Sequence, residues 1–148
     1  GCSGLTSINI PEGVTSIGES AFEGCSGLTS INIPESVTSI GTNTFLACES
    51  LTSINIPESV TSIGVSAFSY CDSLKNVDIP DGVTSIGGGA FLECSGLTSI
   101  NIPESVTSIG YAAFRNCTNL NVVIDNSKDN VSVDYYAFQG CKSVTYLK

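Results

Sequence analysis

Residues Leu28 to Ser50 read LTSINIPESVTSIGTNTFLACES, and the rest of the 148-residue chain is this segment copied with edits. Leu5, Leu28, Leu51, Leu74, Leu97 and Leu120 recur every 23 residues. Cys2, Cys25, Cys48, Cys71, Cys94 and Cys117 keep the same interval, and Cys141 falls one residue late. A fixed period of this size marks a solenoid in which each copy is one rung. The whole of 1–148 therefore reads as a single solenoid segment, with rungs starting at 5, 28, 51, 74, 97 and 120 and partial repeats at both ends. Gly1 to Gly4 resemble the tail of a copy and Val144 to Lys148 the first strand of another, as expected of a piece of a longer array.

Each copy divides into three pieces by its own chemistry. In Leu28–Ile33 the apolar Ile31 and Ile33 alternate with Ser30 and Asn32, which predicts a short strand with one buried face. Pro34 follows; lacking an N–H it cannot extend a ladder, so the strand ends and the chain turns. Val37 and Ile40 mark a second short extended piece, closed by Gly41. Glycine recurs there at Gly18, Gly41, Gly64, Gly87 and Gly110, which predicts a corner with positive φ, and Asp134 replaces it in the sixth copy as a residue that tolerates that region. The last piece runs Ala-Phe-x-x-Cys. Phe and Cys three residues apart share one face of a single helical or 3₁₀ turn, so stacking predicts a spine of Phe22, Phe45, Phe68, Phe91, Phe114 and Phe138 beside a column of thiols. A lone copy would leave both of its flat sides wet, so neighbours and caps are obligatory.

The repeating pattern L-x-x-I-x-I-P-x-x-V-x-x-I-G-x-x-A-F-x-x-C resembles the BspA-like leucine-rich repeats of bacterial and protist surface proteins. Residues 5–119 meet it nearly in full and 120–148 more loosely. The resemblance implies a leucine-rich-repeat solenoid with a parallel sheet on one face, a second short strand and a turn in each rung. It also implies a module of a secreted or cell-surface protein that serves adhesion and is not an enzyme. The sixth copy departs from the pattern: it lacks the proline and carries its extra length in the polar stretch Asp125–Asn130, as expected of an approach to a C-terminal cap.

Charge and composition bound the partners. Net charge is −9, and residues 1–73 hold seven acids and no base. Such a surface repels phosphate backbones and anionic lipid, which argues against nucleic acid and membrane docking. No apolar run approaches the roughly 18 residues that span a bilayer, so membrane insertion is not expected. There is no His, hence no imidazole base or ligand, and the many serines lack an adjacent base. No catalytic residue, cofactor or metal site is expected. The seven cysteines match no C-x-x-C metal spacing and, stacked in parallel, read as buried free thiols acting as small hydrophobes. Glu12, Glu35, Glu58, Asp81 and Glu104 form an acidic turn column for which a bound calcium ion is possible but not required.

Two surfaces are candidates for recognition. The strand face presents a polar ladder, Ser7/Asn9, Ser30/Asn32, Ser53/Asn55, Asn76/Asp78 and Ser99/Asn101. Edits between copies gather around the Ala-Phe turn, where Leu46, Val65, Tyr70, Leu92 and Tyr111 are apolar at positions that are polar or small elsewhere. The function expected is non-catalytic binding of a protein or cell-surface ligand by a rigid repetitive surface, at the cell surface or outside the cell. One rival is a structural spacer or filament segment that self-associates end to end or laterally. Another is a carbohydrate- or ice-surface binder, since regular hydroxyl ladders can match a lattice; Asn rather than Thr in the paired column counts against it.

Overall fold

The computed structural model describes residues 1–148, and they form a succession of short parallel strands and stacked turns. The first sheet takes one strand from each rung: β1 (Ser7–Asn9), β2 (Ser30–Asn32), β4 (Ser53–Ile54), β6 (Asn76–Val77), β8 (Ser99–Ile102), β10 (Asn121–Ile124) and β12 (Ser143–Tyr146). A bridge between Asn32 and Asn55 joins the first pair to the other five. The second sheet stacks β3 (Ser39–Ile40), β5 (Ser62–Ile63), β7 (Ser85–Ile86), β9 (Ser108–Ile109) and β11 (Ser132–Val133). Pairing sets like on like: Ser7 lies opposite Ser30, Ile40 opposite Ile63, and Ile86 opposite Ile109. This is a parallel β-solenoid of about six turns with roughly 23 residues per rung, as the periodicity implies.

Register breaks only in the sixth rung. Asn121 pairs with Ser99, an offset of 22, whereas Ser132 pairs with Ser108, an offset of 24. The excess is absorbed between β10 and β11, where Lys128–Asn130 makes the chain's one 3₁₀ helix within the polar insertion. Asn126 is buried there and donates to the Glu104 carbonyl at 3.2 Å, so the detour stays tied to the rung before it.

The interior is a set of columns. A continuous core of 37 buried residues runs from Cys25 to Ala137 and contains Leu, Ile, Val, Phe and Cys at their repeat positions. Phe22 through Phe138 stack with centroids 5.1–5.7 Å apart and planes within 17°. All seven cysteines are free. Each thiol from Cys48 onward donates to a phenylalanine carbonyl of the rung before it, as Cys94 Sγ does to Phe68 O at 3.0 Å. The thiol is thus a small apolar group that also satisfies a carbonyl facing the core.

Two local expectations need correction. The recurring glycine at the end of the second strand does not adopt positive φ; the positive-φ glycines are Gly13, Gly24, Gly89 and Gly140. Its reason is the approach of backbone to backbone. A Cβ on Gly64 would sit 2.6 Å from the Gly41 carbonyl carbon and 2.8 Å from Thr42 N, and one on Gly87 would sit 2.6 Å from Gly64 C. Asp134 is likewise outside the positive-φ set; it is exposed and its carboxylate accepts the Tyr135 N–H at 2.7 Å.

The Ala-Phe-x-x-Cys piece is not a helical or 3₁₀ turn. It does hold the expected bonds three residues apart, such as Cys48 N–H to Phe45 O at 3.2 Å. Yet two residues in every copy are left-handed, among them Asn43 and Ala47, Ser66 and Tyr70, and Ala112 and Asn116. Positive φ at the third residue of a four-residue turn is the type II geometry, so the piece is a succession of turns. A non-glycine residue in this region costs about 1–2 kcal/mol. What holds it is a third ladder: N–H groups of Asn43, Phe45 and Ala47 donate to Val65, Ala67 and Ser69 of the next rung at 2.8–2.9 Å. Helical geometry would have closed those donors within the rung.

Candidate binding surface

The strand face carries its polar ladder outward. Ser30, Asn32, Ser53, Asn55, Asn76, Asp78, Ser99 and Asn101 are all exposed, while Ile31, Ile54, Val77 and Ile100 between them are buried. Parallel pairing therefore aligns them into straight columns about 4.8 Å per step. Part of this ladder is occupied with itself: Asn32 Nδ2 donates to Asn9 Oδ1 at 2.9 Å, and Ser143 Oγ to Asn121 Oδ1 at 2.7 Å. Beside it runs the acidic edge, whose Glu12, Glu35, Glu58, Asp81 and Glu104 are exposed. Lys148 Nζ bridges Glu104 at 3.1 Å and Asp125 at 3.4 Å, and the hydrogen bond to Glu104 is the main reason its pKa is raised. No group of three His, Cys, Asp or Glu side chains converges to the spacing of a metal site.

The turn face differs in kind. Its outward positions are apolar where other copies are polar, and the side chains stay in solvent: Val65 is 51% exposed, Tyr111 51% and Tyr70 46%. Leu46 and Leu92 are half-buried. Val65, Leu92 and Tyr111 wall a shallow groove of about 280 Å³ floored by Gly88 and Gly89. The floor exists because rung four has glycine at two positions where rungs three and five carry Val65 and Ser66, and Tyr111 and Ala112. Tyr70 does not line this groove; it stands at the other end of its own turn. So the structure brings Tyr111 together with Val65 and Leu92 and leaves Tyr70 apart.

Residues not singled out in the sequence extend the patch. Tyr135 is 73% exposed and meets Tyr136 edge to face at 5.0 Å; Tyr136 in turn meets Tyr111 at 5.8 Å. The Arg115 guanidinium lies 5.3 Å from the Tyr136 ring centre, a cation–π distance. The alignment that sets Asp134 in the column of Gly110 and Phe138 in that of Phe114 also sets Tyr135 in the column of Val65 and Tyr111, so this signal lay in the sequence. Gly88 and Gly89 are floor residues only because neighbouring rungs rise around them.

Titration is shifted mostly in the thiol column, away from both surfaces. Burial, reinforced by the neighbouring cysteine, pushes Cys48 up to about 11 and Cys141 to about 12, and raises Cys71 and Cys94 as well. These thiols stay protonated and unreactive near neutrality. Partial burial, with Glu49 and Glu93 nearby, also raises Asp72. Asn116, in one of two glycosylation sequons, is tied to Glu93 Oε1 at 2.7 Å, whereas Asn130 of the other is exposed.

Residues 1–121 match the family described as BspA type leucine rich repeat region, in 6 copies. The chain belongs to the BspA-type leucine-rich repeat family. Three solved structures resemble this BspA-type array. A leucine rich cell surface protein of Faecalibacterium prausnitzii A2-165 is 41% identical with a TM-score of 0.81, covering 86% of this chain and 35% of that one. A leucine-rich repeat protein of Bacteroides ovatus ATCC 8483 is 32% identical, TM-score 0.64, covering 99% and 56%. The leucine rich repeat protein TpLRR of T. pallidum is 27% identical, TM-score 0.76, covering 95% and 72%. The BspA-type array thus spans about a third to three quarters of the length of these relatives. No curated protein matches it.

Proposed function

We propose that this chain is a non-catalytic binding module of a cell-surface or secreted protein, and that it meets a protein or cell-surface ligand through its turn face. The observation that carries the reading is the exposed apolar strip of Val65, Tyr111 and Tyr135, set against the polar ladder of the strand face. Exposed aromatics fixed on a rigid scaffold give large contact area at small entropic cost. Tyr70, at the far end of its turn, widens the contact. The ladder residues Ser30, Asn32, Ser53, Asn55, Asn76, Asp78, Ser99 and Asn101 would supply a second, polar contact strip from which affinity accumulates in modest increments. The 41%-identical relative described as a cell surface protein supports the location.

A spacer role has one observation in its favour: the Asn32–Asn9 bond shows ladder groups partnering each other across rungs. The two readings separate by experiment. The chain is titrated onto immobilised extracellular-matrix proteins and onto cultured cells, beside Tyr111→Ser/Tyr135→Ser and Asn55→Ala/Asn76→Ala variants of unchanged circular dichroism. The tyrosine variant is expected to weaken binding by about tenfold or more, on the scale of losing an aromatic anchor. Binding that is saturable yet indifferent to both variants refutes the proposed surface; no saturable binding to any of these ligands refutes the module reading.

A further inference from the structure

The first position of each turn runs Glu19, Thr42, Val65, Gly88, Tyr111 and Tyr135 along the coil, and Gly88 interrupts the side chains. Backbone bonds fix the order: Ser66 N–H donates to Gly88 O at 2.9 Å, and Gly89 N–H to Tyr111 O at 2.8 Å. Val65 and Tyr111 are therefore two rungs apart, about 9.6 Å at about 4.8 Å per rung. In the core these rungs stack one ring each, with Phe91 5.2 Å from Phe68 and 5.1 Å from Phe114. Outside, the groove of about 280 Å³ over Gly88 leaves one rung's space between the Val65 and Tyr111 side chains, enough for a single ring or branched aliphatic group.

A cation stands beside this groove. Leu92, which lines it, and Arg115 hold the same turn position in adjacent rungs. The Arg115 guanidinium lies on the Tyr136 ring, and Tyr136 meets the groove wall Tyr111 at 5.8 Å. Arg115 Nε is buried with no hydrogen-bond partner, and the side chain joins no ion pair, since both salt bridges of the chain belong to Lys148. Glu93, whose N–H meets the Arg115 carbonyl at 2.9 Å, gives its carboxylate to Asn116 Nδ2 at 2.7 Å instead. A guanidinium held on an aromatic face has already lost much of its freedom, and its planar fork matches a carboxylate. We infer that the groove takes a short peptide segment of a partner protein, a large apolar side chain filling the gap over Gly88 and a carboxylate two residues away pairing with Arg115.

Spacing and lining select this ligand. In an extended peptide, residues two apart point the same way about 7 Å from each other, a span comparable with the 5.8 Å between Tyr111 and Tyr136. The groove is walled by Val65, Leu92, Tyr111 and Ala112 with one hydroxyl, Ser66, so it offers little to the many hydroxyls of a sugar ring. The net charge of −9 limits the ligand further. Charges beyond about 8 Å are largely screened at physiological ionic strength, so a lone carboxylate responds chiefly to Arg115. A polyanion would also run over Glu93 and Asp134.

The inference rests on the turn face being the contact surface, and it has a readout of its own. The probes are acetyl-Glu-Gly-Phe-Gly-Glu-amide, with an acid on each side so that chain direction does not matter, and its Gln-Gly-Phe-Gly-Gln twin. Each is titrated to about 10 mM onto the nitrogen-15-labelled full chain, with the Gly88 and Gly89 amide signals as reporters. The acidic peptide should shift both signals with a Kd on the order of 1 mM, and the twin should bind about five- to tenfold more weakly. Arg115→Gln should make the two peptides equal, and Gly88→Val should weaken both about tenfold or more. Both variants suit the scaffold, since rung six carries Gln139 and rung three Val65 at the same turn positions. Silent glycine signals, equal binding of the two peptides by the unmodified chain, or a preference that survives Arg115→Gln overturns the inference. Methyl glucuronide binding at the same glycines tenfold more tightly than the peptide overturns it in favour of an acidic sugar. Matrix or cell binding that is lost on Tyr111→Ser/Tyr135→Ser while both peptides stay silent overturns the peptide groove and leaves the binding module standing.

Discussion

Replacing Gly64 by alanine, with Gly41→Ala as its control, tests why the coil needs glycine at the end of the second strand. The two residues occupy the same place in adjacent rungs, both after Thr-Ser-Ile and both with φ outside the left-handed region. A Cβ on Gly41 meets nothing nearer than Thr44 Oγ1 at 3.5 Å, an ordinary contact. A Cβ on Gly64 would lie 2.6 Å from Gly41 C and 2.9 Å from Gly41 O. Carbon atoms pack at about 3.5–4.0 Å, so rungs two and three must part by about 1 Å. The Gly64 N–H donates to Ile40 O at 2.7 Å and Asn43 N–H to Val65 O at 2.9 Å; stretching each by that amount ends both bonds. Two bonds at about 0.5–1.5 kcal/mol, with the dispersion lost where the columns separate, amount to about 2–4 kcal/mol. Gly41→Ala should instead be neutral or stabilise by up to about 1 kcal/mol through the unfolded chain. Urea unfolding followed by circular dichroism measures both. The contrast is worth on the order of 10 °C in Tm for a chain this size. Equal losses for the two variants would refute the backbone-approach argument and return the glycine to a conformational role.

Two other predictions concern the columns. Above pH 9 stability should fall. In the folded chain burial holds Cys48 and Cys141 protonated up to about 11 and about 12, and holds Cys71 and Cys94 high as well, whereas unfolded thiols ionise near 9.0. The unfolded state then binds fewer protons, so the urea midpoint should be level below about pH 8.5 and decline between about pH 9 and 12, less steeply in Cys71→Ala; a midpoint level to pH 10.5 contradicts this. In the aromatic spine, Phe68→Ala should cost about 3–5 kcal/mol by urea unfolding, and Phe22→Ala markedly less, because Phe22 is half-buried with a ring on one side only. Equal costs would mean that rungs do not contribute to stability according to the neighbours they have.

What could be read from the residues was whatever stacks on its own copy. Leucine over leucine, phenylalanine over phenylalanine and thiol over thiol need only the period and the in-register pairing that parallel rungs permit. The errors fall where the cause lies in the next rung. Gly64 is glycine because Gly41 approaches it from the neighbouring rung, and no local signal distinguishes that from a positive-φ corner. Ala47, Tyr70 and Glu93 are left-handed because their N–H groups reach across to the following rung, while their residue types show no preference for that region. The same holds for the surface. Exposed Tyr70 and Tyr111 stand out as departures from the pattern, but Gly88 and Gly89 become a groove floor only once Val65 and Tyr111 rise on either side.

This division explains where the coil can vary. A core position is fixed by the two rungs that sandwich it, so a change there must be matched above and below. Ladder positions on the strand face are partly spoken for by bonds such as Asn32 to Asn9. On the turn face the backbone makes the inter-rung bonds by itself, through Phe45 N–H to Ala67 O at 2.8 Å and its equivalents, whatever the side chains are. The first turn position accordingly holds Glu19, Thr42, Val65, Gly88, Tyr111 and Tyr135 in successive rungs. Side chains released from structural duty can be edited for contact, and that is the physical ground for placing recognition on the turns rather than on the more regular sheet.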